Sequence, residues 1–576
     1  MHRIKNIIFG FILTVCFLLQ VLAIFLVKQD ASFSNVWLPF WLHIGSELTI
    51  FVVVLLSKWG KIKNNTITDN EIVWFGFLML FVELISFLFL TQYPYVSVGD
   101  ELRDGGLNAM QIANGQIQNI FDYGTYAAHG LIIPTIASFF YKFFGSSVLT
   151  YRFPVALLAC LDVVILYVLL KSLINRVAAF FGALTLAVLP FQLFFSRTQI
   201  VVAFNTFWTC IILLASQFLF ESNSLINYIF LGSALGFASE FHAGVRVVAV
   251  LVLLLVIIFK IIHSLRGKIP FLQTLFGIIL MVLFAVVSFG PQILFTSPSV
   301  FFHTGRFVLQ TDLISHVAPS AGQMQSIGAD YLKSLGTWVF EPVSFFFHDD
   351  QPLLPPPLVV LFFIGIFYSL GFLRKSYYYF LFLLAILIPF FSSAITDAVN
   401  ADHRLIVLLP IGVIFCSVAV ARIVSFLKIK PLKILFLGIA SVYLCYLAAY
   451  FFVNQSANIG RDIHDYLSMD IIYTIQAQEK TIPEVTSQTY CLRLSSANYK
   501  TFDYLHYKEQ YDYFLPNISI NKQEDKNVSD NTIYIFHGSC PVDLNKVKLQ
   551  TKRNCSNKFN LYCPLNYSGD IIKYFN

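Results

Sequence analysis

Apolar runs of about twenty residues, the length that crosses a hydrocarbon layer about 30 Å thick as one helix, recur from the N-terminal residues to about residue 453. Nothing in the chain constrains its fold more, because a backbone in hydrocarbon must pair every N–H and C=O within its own segment. Thirteen such runs are expected, at 6–27, 36–57, 72–91, 154–171, 177–195, 199–220, 227–241, 244–262, 271–290, 354–373, 377–396, 404–427 and 433–453. With 57% hydrophobic and 12% charged residues, the 576-residue chain departs from soluble composition in the same direction. The pair of runs around Glu240 to Arg246 is short for a span. The first run follows Arg3 and Lys5 but is long and lacks a small-residue cleavage site, so it is expected to stay as an anchor.

Lysine and arginine set the orientation. Lys58, Lys61, Lys63, Lys171, Arg176, Lys260, Arg266, Lys268, Arg374, Lys375, Lys428, Lys430 and Lys433 all fall in alternate loops, and such loops face the cytoplasm. The N-terminus is then cytoplasmic, while the long loops 92–153 and 291–353 and the tail from 454 lie on the outer side, in the cell membrane. The net charge of +6 is accounted for by this loop bias, and no nucleic-acid partner is implied.

The expected fold class is a polytopic α-helical membrane protein with a small extracytoplasmic α/β domain at 454–576. Apolar runs cease in that tail, and Thr532–Phe536 is its clearest strand pattern. Four of the nine cysteines, Cys491, Cys540, Cys555 and Cys563, fall there, which suggests two disulfides in one of three pairings. A zinc site would call for closer cysteine pairs. Sequons at Asn454, Asn517, Asn527, Asn554 and Asn566 share that side.

The clearest chemistry is Asp100 beside Glu101, just past the run that ends near Thr91. Adjacent carboxylates at the mouth of a bundle suit a general base or a metal ligand where a lipid-borne substrate meets a soluble one. Further along the loop, 107–115 has apolar residues at helical spacing, and an apolar stretch ends at Phe144 and Gly145. Such a pair of interfacial helices would frame a cavity at the membrane surface.

The order of these elements resembles a known family. Asp100-Glu101, Gly115, His129, Phe144-Gly145, Tyr151-Arg152-Phe153-Pro154, Pro190 with Ser196-Arg197, Pro298, Arg306 and Asp402-His403-Arg404 before Pro410 follow the pattern of the polytopic GT-C glycosyltransferases. The chain looks in particular like the group that includes protein O-mannosyltransferases and lipid A aminoarabinose transferases, over roughly residues 72–453, with 1–71 supplying two additional helices. The aminoarabinose branch carries an acidic-basic pair and Pro-Pro where this chain has Ala128-His129-Gly130-Leu131, and Asn205 stands where some members place an acid.

The resemblance implies transfer of a sugar from a polyprenyl-phosphate donor to an acceptor hydroxyl on a protein, lipid or glycan at the outer face, usually with inversion. Asp100 would then be the base, and Glu101 would orient it, share a divalent metal with it, or simply be exposed. The lipid phosphate needs positive charge where negative charge grows, for which Arg404, His403, Arg306, His129, Arg197, His242 and Arg246 are the candidates. Arg404 ranks first because a short outer loop precedes it and a span follows; snorkelling to the headgroups is the competing role for each. The rival functions are a lipid-linked glycan polymerase or ligase, and a lipid or polysaccharide transporter. A transporter would use buried acids such as Glu47, Glu83 and Asp162, which are instead expected to hydrogen-bond between helices.

Overall fold

The computed structural model describes residues 2–30, 32–33, 35–64, 69–92, 101–123, 130–198, 201–297, 301, 321–343, 347, 351–396, 399–455, 472, 488–494, 513, 518–524, 533–537, 549–554 and 570–575. Its helices are α1 His2–Gln29, α2 Trp37–Asn64, α3 Asp69–Phe87, α4 Asn108–Ala113, α5 Ile132–Phe144, α6 Val148–Leu173, α7 Arg176–Val188, α8 Pro190–Phe195 and α9 Phe204–Glu221. They continue as α10 Leu225–Ala238, α11 Ala243–Leu265, α12 Phe271–Ser288, α13 Ala321–Gly336, α14 Pro356–Tyr368, α15 Ser376–Pro389, α16 Leu409–Phe426 and α17 Lys430–Tyr450.

Among the described residues, 10 helices are long and apolar enough to cross a membrane. The run expected at 177–195 is not one helix. Pro190 holds Leu189 at φ −58°, ψ 129°, an extended conformation, which divides the run into α7 and α8. The run expected at 227–241 becomes α10, 14 residues long, and the one at 72–91 becomes α3, 19 residues long.

The surface is apolar where a soluble protein would be charged. α1 exposes Phe11, Leu18 and Phe25, and α17 exposes Ile434, Ile439 and Val442, as lipid-facing helices do. α9 and α16 are buried almost all round and form the centre.

Helices α10 and α12 touch backbone to backbone at Gly232 and Gly236. A Cβ on Gly232 would overlap the Met281 carbonyl, and one on Gly236 the Ala285 carbonyl. This four-residue glycine spacing is a packing signal in lipid, where no hydrophobic driving force separates helix from tail and close approach gains dispersion energy instead. Gly236→Leu is expected to destabilise the chain by about 1–3 kcal/mol, the usual cost of overpacking. Thermal unfolding in detergent measures it, and an unchanged midpoint would show that the helices can separate freely.

Glu71 on α3 ties one end of the bundle together. It accepts from Lys171 and from the Tyr167 hydroxyl at 2.8 Å, and it is ion-paired with Arg176 Nε at 2.9 Å. α6 carries Arg152 near its start and Lys171 near its end, roughly 28 Å apart along the axis at 1.5 Å per residue, so the two belong to opposite ends. Of the intramembrane acids, Glu47 accepts from Gln20 on α1 and Asp162 accepts from Gln192 Nε2 on α8 at 2.8 Å. Glu83 is exposed on the outside of α3 instead.

Beyond the bundle, β1 Gln488–Leu494, β2 Ile518–Glu524, β3 Ile533–His537, β4 Leu549–Asn554 and β5 Asp570–Phe575 form one sheet in the order β2-β1-β3-β5-β4. The β1–β2 and β3–β5 pairs are parallel, and β1–β3 and β4–β5 are antiparallel. Cys540, Cys555 and Cys563 lie outside the described residues, and Cys491 is described by its backbone alone. The expected disulfides therefore fall outside them too. Tyr513 reaches back to the bundle: its hydroxyl donates to the Ser147 carbonyl at 3.1 Å, and its ring lies 5.9 Å from that of Tyr151.

Candidate functional site

Two buried arginines grip the chain as it leaves α3. Arg197, in the turn after α8, donates to the carbonyls of Ile85 at 2.7 Å, Ser86 at 3.1 Å and Leu88 at 2.6 Å, and lies over the Phe452 ring. These are carbonyls that a helix end leaves without intrahelical partners, and a cation suits them. Arg152 donates from Nη1 to the Leu90 carbonyl at 3.1 Å, and from Nε and Nη2 to the two carboxylate oxygens of Glu101 at 2.7 and 3.1 Å.

That fork-to-fork pair holds Glu101 at 0% exposure, so it is neither exposed nor a free base. Glu101 opens a wide helical turn, Glu101–Leu107, that leads into α4. One guanidinium thus tethers both sides of the segment that carries Asp100, which itself lies outside the described residues, as do His129 and Arg306.

A second cluster gathers at the same end from α9, α11 and the turn before α16. His242 precedes α11 as its N-cap, and its Nδ1 accepts from Gly244 N–H at 3.0 Å and from Asn205 Nδ2 at 3.0 Å. With Nδ1 accepting a backbone N–H, the ring proton belongs on Nε2 and the imidazole is neutral. His242 therefore supplies a hydrogen-bond donor rather than the positive charge expected of it. The His403 ring lies 6.2 Å from that of His242, and Asn205 Nδ2 also approaches the His403 carbonyl at 3.4 Å. Asp402 accepts from its neighbour His403 N–H and from Phe347 N–H, each at 2.6 Å, which fastens the second long loop to this turn. Arg404 follows and donates to the Thr396 hydroxyl.

A third group adjoins it. Arg246 donates from Nε to the Ser239 carbonyl at 2.7 Å, and its guanidinium lies 5.5 Å from the Tyr123 ring and 5.7 Å from that of Phe301. Tyr123 is hydroxyl-bonded to Thr296 at 2.6 Å and bridges to Gly130 through the backbone. At Gly130 any side chain would overlap the Gln292 amide and the Glu240 carbonyl. Glu240 is fully buried and is paired with His43 Nε2 at 2.6 Å.

Of the candidate phosphate partners, His242, Arg246, His403 and Arg404 come together, whereas Arg197 caps α3. Asn205, Tyr123, Glu240, Gln292 and His43 join them without having been singled out for that role. A histidine four residues before Glu47 inside an apolar run was the only sequence signal for His43. Among the described residues no three His, Cys, Asp or Glu side chains converge as metal ligands.

Fold and site define a multi-pass membrane protein with a buried polar centre at one end of its helix bundle. Residues 128–288, which run from the Gly130 turn through Arg152, Arg197, Asn205, Glu240, His242 and Arg246 to α12, match the model of the dolichyl-phosphate-mannose-protein mannosyltransferase family. No curated protein matches the chain in sequence. Solved structures similar to it include the archaeal oligosaccharyltransferase AglB from Archaeoglobus fulgidus, in complex with an inhibitory peptide and a dolichol-phosphate, at 13% identity and TM-score 0.46 over 79% of this chain. The similarity spans 65% of that protein's length. ArnT from Cupriavidus metallidurans bound to undecaprenyl phosphate is similar at 14% identity and TM-score 0.45, over 77% of each chain.

Proposed function

We propose that the chain is a membrane glycosyltransferase of the GT-C type that moves a sugar from a polyprenyl-phosphate donor to an acceptor hydroxyl on a protein, lipid or cell-envelope glycan. The observation that carries this reading is that the mannosyltransferase-family match at 128–288 takes in Arg152, Arg197, Asn205, Glu240, His242 and Arg246 of the buried polar centre. In the reaction the acceptor oxygen attacks the anomeric carbon and its proton passes to the Asp100 carboxylate. The bond to the phosphate oxygen breaks, and the lipid phosphate leaves with the electron pair. Glu101, gripped by Arg152, positions the segment from which Asp100 acts. Arg404 and His403 hold the donor phosphate, and His242 adds a neutral Nε2–H donor.

Arg404→Ala is expected to raise the donor KM by about ten- to a hundredfold, as loss of a charge-assisted hydrogen bond worth about 1.5–3 kcal/mol implies, with kcat far less affected. Transfer assays with polyprenyl-phosphate mannose read it, and an unchanged KM would remove Arg404 from the site. The distribution of Lys and Arg supports an outer-facing site with a cytoplasmic N-terminus. Reporter fusions at Lys61 and Asn527 are expected on opposite sides of the membrane. Finding both on one side would overturn that orientation.

A further inference from the structure

His43 lies on α2, far in sequence from the segments that build the site and outside the matched residues 128–288. It is fully buried, and its imidazole touches two of those segments at once. Nε2 bonds the Glu240 carboxyl at 2.6 Å, in the turn that links α10 to α11 and carries His242. The flat of the ring fills the space beside Gly290, where a Cβ would come within 2.5 Å of His43 Cε1. Gly290 has φ +61° and opens the turn Gly290–Phe295, which carries Gln292 and leads to Thr296.

The ring's edge meets Phe237 at 5.4 Å, which fixes its tilt. One helical turn further along α2, Glu47 takes a hydrogen bond from Gln20 on α1. The Ser288 hydroxyl on α12 lies 3.4 Å from Gln20 Oε1 and 3.1 Å from the Ser233 hydroxyl on α10. The first two helices are therefore joined to α10 and α12 by a buried polar seam whose upper end is the His43–Glu240 bond. In hydrocarbon such a bond has no water to replace it, so its loss leaves a buried carboxyl unpaired and releases the turn it holds.

We propose that His43 is a positioning residue for the donor site: through Glu240 and Gly290 it sets the two turns that place His242, Gln292 and Thr296, making α1 and α2 part of the active centre. The assignment of that site to a polyprenyl-phosphate donor rests on the function proposed above; the mechanical coupling does not. His43→Ala in the full chain in nanodiscs is expected to raise the KM for polyprenyl-phosphate mannose at least tenfold while kcat stays within about threefold. His43→Gln, which keeps a hydrogen-bonding side chain of similar reach, should recover most of the loss.

Amide hydrogen exchange supplies a readout free of any assumption about the substrate. In His43→Ala, exchange should accelerate at 239–246 and 289–297 and remain at wild-type rates in α6, α9 and α16. Exchange that is unchanged in those two turns, or faster throughout the bundle, would overturn the inference and leave His43 a packing residue. So would equal loss of kcat and melting temperature without a change in KM. If the wild-type chain neither binds polyprenyl phosphate nor transfers sugar from it, the proposed function fails, and the exchange pattern still decides the coupling.

Discussion

Replacing Asp100 with asparagine is expected to lower kcat by about 10²- to 10⁴-fold, the range that a positioned general base contributes, with the donor lipid still bound. The attacking hydroxyl becomes nucleophilic only as its proton leaves, and asparagine accepts no proton at neutral pH. The donor's phosphate contacts form before the chemical step, so its KM should move little. Single-turnover transfer from polyprenyl-phosphate mannose, measured alongside donor binding, separates the two. Near-normal transfer would place the base elsewhere. Glu101 is not the first substitute in that event, because both its oxygens are occupied by Arg152, and Asp104 on the same segment becomes the next residue to test.

Arg152→Ala should produce the largest loss of stability, about 3–5 kcal/mol, because it strands the Glu101 carboxylate in a dry interior. It also removes the donor to the Leu90 carbonyl, so both sides of the segment that carries Asp100 come loose. The double variant Arg152→Met with Glu101→Leu removes both charges and should recover most of that stability, since a buried ion pair replaced by apolar groups of similar volume is often neutral. Activity should not return with it, because the segment has lost its tether. Denaturant unfolding in detergent beside a transfer assay reads both quantities. A single variant within about 1 kcal/mol of wild type would show that water reaches Glu101 and screens the pair.

The sequence by itself determined the solvent of this protein and the rough position of its longest helices. Each apolar run must close its own hydrogen bonds in hydrocarbon, so span assignment is a local property that length and hydropathy carry. The helices at 2–29, 148–173, 243–265 and 271–288 were legible for that reason. Where a local rule competed, the outcome was also local, as at Pro190, which ends α7 early.

The acid pair at Asp100 and Glu101 was likewise legible as a pair, but the division of labour within it was not. Glu101 is locked because Arg152 on α6, 51 residues further along the chain, delivers a planar fork at the right distance, and that meeting depends on how α6 packs against α3 and the turn Glu101–Leu107. The same holds for the basic residues. Arg197 and Arg246 look alike in sequence, yet one donates to the carbonyls at the end of α3 while the other donates to the Ser239 carbonyl and lies over the Tyr123 and Phe301 rings. His242 loses its expected positive charge to a backbone N–H two residues further on, once the helix it caps has formed. Helix formation in a membrane is decided residue by residue along the chain, whereas the role of a buried charge is decided by which partner the packed bundle brings within hydrogen-bond reach, and only the tertiary structure holds that information.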